Sequence, residues 1–138
     1  MQKSSPVFTP LLKILSAILV LTPLALMAKT PASISNLRTS VKANTQRLVF
    51  DITGENDPAY YIKKEKQTLN LTLEASLSPT KESEFIKKIE DSRYISSVEF
   101  LTLTDEKETV VSMTLKAGVK EDIFSLPSPS RVVIDLKE

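Results

Sequence analysis

The stretch "SRVVIDLK" (130–137) decides the fold. Val132, Ile134 and Leu136 alternate with Arg131, Val133 and Asp135, so a strand here buries one face and wets the other. The same period recurs three times upstream. In "QRLVFDIT" (46–53), Leu48, Phe50 and Ile52 alternate with Arg47, Val49 and Asp51. In "TLNLTLE" (68–74), Leu69, Leu71 and Leu73 alternate with Asn70, Thr72 and Glu74. In "VVSMTLK" (110–116), Val111, Met113 and Leu115 alternate with Ser112, Thr114 and Lys116. One dry and one wet face per strand fits antiparallel sheets, whereas parallel strands covered on both sides read as continuous apolar runs.

One segment reads as a helix. In "SPTKESEFIKKIEDS" (78–92), Ser78 or Thr80 can cap the start and Pro79 suits a first turn. Phe85, Ile86 and Ile89 form a narrow apolar stripe, as expected of a short helix covering a sheet edge. "GENDPA" (54–59) has turn composition, and Leu126-Pro127 with Pro129 reads as a second turn.

The sequence also matches itself. Residues 34–74 and 95–138 both open on Ile-Ser and pass through a polar turn into an alternating strand. Each then has a glycine (Gly54, Gly118), aromatic residues (Tyr60-Tyr61, Phe124) and a closing strand. A match of this length is one supersecondary unit used twice. The expected fold is therefore all-β for the most part. It is a β-sandwich of two similar small antiparallel sheets from an internal duplication, with one short helix between the halves. If each half forms a sheet, each sheet displays one copy of the outward Arg-x-Val-x-Asp set.

Residues 1–28 are set apart from that fold. Lys3 and Lys13 precede the run "ILSAILVLTPLALMA", which ends on a small residue. This is the order of a cleaved secretory signal peptide, with Ala28 the expected cleavage point and Ala32 the alternative. The run from Ile14 to Ala28 falls short of the roughly 20 residues of a spanning helix, and Pro23 interrupts it. The expectation is a mature domain over 29–138, in the periplasm and not in the membrane. That domain keeps 16 basic residues of 18 and all 17 acidic ones. Near-neutral charge argues against nucleic acid as a partner. Without cysteine, disulfides contribute nothing to stability.

The pieces "TQRLVFDITG" (45–54) and "VVSMTLKAGVKEDIFSLPSPSRVVIDLKE" (110–138) resemble the AMIN domain. That module stands at the start of periplasmic N-acetylmuramoyl-L-alanine amidases and of type IV pilus secretins. The resemblance covers nearly all of residues 29–138. It implies a sandwich of two similar β-sheets that binds peptidoglycan and localises what is attached to it. The sequence ends four residues after Ile134, so the expectation is a stand-alone module, and only the binding role carries over.

The residue inventory narrows the chemistry. With no histidine and no cysteine, a zinc amidase lacks its imidazole ligands and the usual nucleophilic triads lack their base. Two glycines make no phosphate loop. Carboxylate pairs such as Asp51 with Glu55 are better read as solvated charge than as a glycosidase pair. Nothing singles out a Ser–Lys pair. The reading is a protein that is not an enzyme and carries neither cofactor nor metal.

Binding remains. The candidate peptidoglycan contacts are Arg47, Asp51, Arg131 and Asp135, with Tyr60 and Tyr61 as a flat surface for a sugar. Arg and Asp four apart on one strand are about 13 Å apart. They are expected to pair with side chains on neighbouring strands, with direct ligand contact the competing role. One of the two tyrosines is expected to anchor the core, with Phe124 in the matching place. The leading functional reading is an exported peptidoglycan-binding module that can recruit a separate amidase or pilus component. The alternative is a protein-interaction subunit of an envelope machine such as a type IV pilus secretin assembly, docking by a strand edge or the 78–92 helix. The residues leave glycan and stem peptide both open as the wall ligand.

Overall fold

In the computed structural model, residues 31–54, 59–103 and 107–138 are described. The leader expected over 1–28 and most of the turn expected over 54–59 lie outside them. The four strands read from alternation form as β2 (Thr45–Thr53), β4 (Thr68–Leu73), β6 (Thr109–Leu115) and β8 (Arg131–Lys137). Their alternating apolar residues, from Leu48 to Leu136, are all buried. Four further strands flank them: β1 (Ser33–Lys42), β3 (Tyr60–Glu65), β5 (Ile95–Thr102) and β7 (Lys120–Leu126). Within the two sheets, all strand pairings among the described residues are antiparallel. The first sheet has the order β1-β2-β8-β7 and the second β3-β4-β6-β5.

This order corrects one expectation. Neither half of the chain makes a sheet of its own. Each half gives one hairpin to each sheet, and the sheets close where a strand of the first half pairs with one of the second, β2 with β8 and β4 with β6. Replacing β1–β4 by β5–β8 turns one strand order into the other, so the two halves are equivalent in topology. Both copies of Arg-x-Val-x-Asp therefore lie side by side in the first sheet.

The equivalence reaches single residues. The β1 ladder shifts register between Ile34 and Asn36, and the β5 ladder between Ile95 and Ser97. These bulges fall on the Ile-Ser pairs at which the two repeats begin. The extra serine in each donates to a carbonyl of the neighbouring strand, Ser35 Oγ to Asp51 O at 3.2 Å and Ser96 Oγ to Thr114 O at 3.0 Å. A bulge leaves backbone groups unpaired, and a short hydroxyl satisfies one of them. Past β2, Gly54 has φ +95°, and a Cβ there would fall 2.4 Å from Pro31 O. Only glycine fits that close approach.

Helix α1 (Pro79–Ile89) begins on Ser78, whose side chain accepts from Lys81 N, with Pro79 in the first turn. It lies against β1 and β5, the edge strands on one side of the sandwich. Phe85, fully buried, packs edge-on between Phe50 of the first sheet and Phe100 of the second, at centroid distances of 6.4 and 6.0 Å. Lys81 and Lys88, two turns apart, donate to Ser35 O and Leu37 O of β1 at 2.7 and 2.8 Å. Ser76 pairs with the start of the same edge through Ile34 N and Ala32 O. These contacts cover an edge that would otherwise template another strand. On the opposite side, Lys64 of β3 and Glu121 of β7 face inward and bond at 2.8 Å across the mouth between the sheets.

Phe85→Ala removes the ring that ties the two sheets to the helix. The expected loss is about 3–5 kcal/mol in urea unfolding. A loss under about 1 kcal/mol would mean that the helix is a peripheral cover.

Candidate functional site

The pairing registers of the first sheet place its outward residues in rows across the four strands. Ser40, Arg47, Asp135 and Asp122 make one row, and Arg38, Val49, Val133 and Phe124 the next. Asn36, Asp51, Arg131 and Leu126 make the third. Beyond the first row, at the β1–β2 turn, lie Lys42, Thr45, Lys137 and Lys120. Because β2 and β8 run antiparallel, each arginine of the motif stands opposite the aspartate of the other copy: Arg47 opposite Asp135, and Arg131 opposite Asp51.

Only the first of those facing pairs bonds. Arg47 grips Asp135 with Nε and Nη2, at 2.7 and 2.8 Å. This is the planar two-point fork that guanidinium and carboxylate share. Asp51 is gripped the same way by Arg38 of β1, at 2.9 and 2.7 Å. Arg131, half-buried, turns its Nε to Pro129 O at 3.0 Å instead. Among the described residues no carboxylate pairs with it. Arg47, Asp51 and Asp135 thus each have a cross-strand partner, while Arg131 meets no acid among the described residues.

The middle row is apolar. Val133 is buried although it faces away from the core, between Val49 and Phe124 on the flanking strands. Arg47 Cζ lies 5.7 Å from the Phe124 ring centroid, within cation–π range. A depression of about 270 Å³ follows this row and is lined by Arg38, Arg47, Val49, Leu126, Arg131 and Val133, among others. A neighbouring one of about 450 Å³ continues past Ser40 and Arg47 to Lys42, Ala43 and Thr45 at the turn. Together they form a shallow groove with a basic rim and an apolar floor.

The tyrosines lie elsewhere. Tyr60 packs against the core, as expected of one of the pair. Tyr61 is on the outer face of the second sheet, where its hydroxyl donates to Glu74 Oε1 at 2.7 Å. That neighbouring carboxylate raises the phenol pKa. Neither tyrosine joins the arginines. Phe124 is not the core anchor that its place in the repeat implied; Ile123 beside it packs on the core and turns Phe124 outward. Arg38 and Phe124 are therefore site residues that the sequence pattern did not mark. Arg38 stands one residue after buried Leu37, but a bulged edge strand offers too little alternation to show it. The second sheet's outer face bears Thr68, Asn70, Thr72, Val110, Ser112 and Thr114 at its centre, a mostly polar surface, with Glu74 against Tyr61 at one end.

In comparison with known proteins, no family model matches the chain and no curated protein matches it.

The Arg47 hydrogen bonds hold the Asp135 carboxyl below the usual aspartate range, while Asp135 raises the Arg47 pKa. An aspartate with a lowered folded-state pKa stabilises the fold above its unfolded value of about 3.9. It loses that contribution as the pH falls through the folded value. Asp135→Asn is thus expected to have a lower urea midpoint than the parent at neutral pH, with the two converging as the pH falls toward about 2. A gap that is absent at neutral pH, or unchanged in acid, contradicts this role.

Proposed function

We propose that the chain is an exported, non-catalytic module of AMIN type that binds peptidoglycan in the groove on the outer face of its first sheet. It belongs, on this reading, to the periplasm of a double-membraned bacterium. The observation that carries the proposal is Arg131, a half-buried residue whose guanidinium meets no acid among the described residues and stands beside an apolar floor. Stem peptides end in carboxylates, and a guanidinium takes a carboxylate through two parallel bonds. Val49, Val133 and Phe124 offer the alkyl and ring surface that a peptide side chain or a sugar face covers. Lys42, Lys120 and Lys137 add positive charge at one end of the groove.

On this reading Arg38 and Arg47 do a different job from Arg131. Each neutralises an aspartate, which leaves the floor of the groove free of net negative charge. Binding of this kind is weak per site and is strengthened by the repeating ligand. The alternative of a docking scaffold loses support from two features. The apolar stripe of α1 is spent on the core through Phe85 and Ile89, and the β1 edge is covered by Ser76, Lys81 and Lys88.

Incubation with purified sacculi followed by centrifugation tests the proposal. The protein is expected to pellet at low salt, and Arg131→Gln to stay in the supernatant with its urea midpoint little changed. Arg47→Glu, by contrast, sets an acid against Asp135 and lowers stability. Parent protein that stays in solution while an established wall binder pellets would overturn the proposal. So would full binding by Arg131→Gln.

A further inference from the structure

Arg131 and Asp51 stand opposite each other in the β2–β8 ladder, as Arg47 and Asp135 do at its other end. Side chains directly opposite have Cβ atoms about 5 Å apart, within reach of an arginine–carboxylate bond. One of these facing pairs closes and the other stays open, although strands, register and residue types are the same. The difference lies on β1. Beside Arg47 that edge strand presents Ser40, which brings no charge. Diagonal to Asp51 it presents Arg38, whose Nε and Nη2 take both carboxylate oxygens at 2.9 and 2.7 Å. Asp51 is the one acid in the row of Asn36, Asp51, Arg131 and Leu126. Two arginines thus have a single carboxylate within reach, and Arg38 holds it.

We infer that Arg38 is a positioning residue for the groove: by occupying Asp51 it keeps that carboxylate off Arg131 and leaves the Arg131 guanidinium open to the carboxylate of a ligand. The inference rests on the reading of this groove as a carboxylate site and says how that site is kept open. Asp51 is a built-in competitor of the ligand. A carboxylate fixed to the neighbouring strand has a far higher effective concentration than a free one. Released from Arg38, it would close on Arg131 before a weak ligand could. A bare Asp51 would also repel an incoming anion. The side chain of Arg38 is 53% exposed, so its replacement is expected to leave the fold intact, with the urea midpoint as the check.

The parent, Arg38→Gln, Asp51→Asn and the double variant together test the inference. With sacculi, Arg38→Gln is expected to bind about fivefold more weakly, or worse. Asp51→Asn is expected to bind at least as well as the parent, and the double variant to regain the parent's affinity. Arg38→Lys keeps a cation on Asp51 and is expected to bind better than Arg38→Gln.

The guanidinium resonances of Arg131 in isotope-labelled protein, recorded without ligand, read the same competition directly. They are expected to shift in Arg38→Gln, where Asp51 takes Arg131, and to move back in the double variant. Arg131 resonances unchanged in Arg38→Gln would overturn the inference. So would a double variant that binds no better than Arg38→Gln, the mark of an arginine that itself touches the ligand. A parent protein that fails to bind sacculi sinks the wall reading alone. The resonances then still decide whether Arg38 keeps Asp51 from Arg131.

Discussion

Two ladders between the halves of the chain hold everything else in place, β2 with β8 and β4 with β6. Each joins strands distant in sequence, and each sits at the middle of a sheet. A hairpin alone, such as β1–β2 or β7–β8, is marginal in water because its apolar face has nothing to cover it. No disulfide assists, since the chain has no cysteine. The dry side of each sheet exists only once a hairpin from the other half has completed it and the second sheet has come down on top. Phe85 then closes one side of the sandwich and the Lys64–Glu121 pair the other. Stability is thus a property of the joined halves, and such non-local pairing is slow to form.

How much of this the sequence disclosed follows from position in the sheet. The four strands legible by alternation are the four central ones, each with a ladder on both sides and one face wholly in the core. The four that were not legible are the four edges. β3 is almost fully exposed, β1 and β5 carry bulges that break the period, and β7 mixes Ile123 inward with Phe124 outward. The tight turns were hidden for a related reason. Ala43 and Lys66 take the left-handed conformation in the β1–β2 and β3–β4 turns, where glycine or asparagine is the usual signal. The helix was legible because Ser78, Pro79 and the Phe85–Ile89 stripe all pointed the same way.

The candidate site was legible in part, again for a physical reason. Alternation tells which face of a strand a residue is on, but not which strand lies beside it. The outward Arg-x-Val-x-Asp sets were therefore visible, as was the expectation that they pair across strands. That the two copies pair with each other was not, because it depends on how the halves interleave. Nor does spacing reveal that Arg38 reaches Asp51 first and leaves Arg131 unmatched. The two sheets share a topology yet present different outer surfaces. One is an arginine–aspartate lattice around an apolar row, and the other a hydroxyl-rich face with one cation and one anion at opposite edges of its middle row. On the reading advanced here, wall contact falls to the first of these surfaces.

The central claim is that the wall ligand lies along the Arg131 groove of the first sheet. Titrating isotope-labelled protein with soluble peptidoglycan fragments, and following its amide resonances, tests that claim most directly. The account predicts that the perturbed amides cluster on β2, β8 and β7, around Val49, Phe124, Arg131 and Val133, and that the second sheet is unmoved. Perturbations centred on β3–β6 or on the helix, or none at saturating ligand, would contradict it.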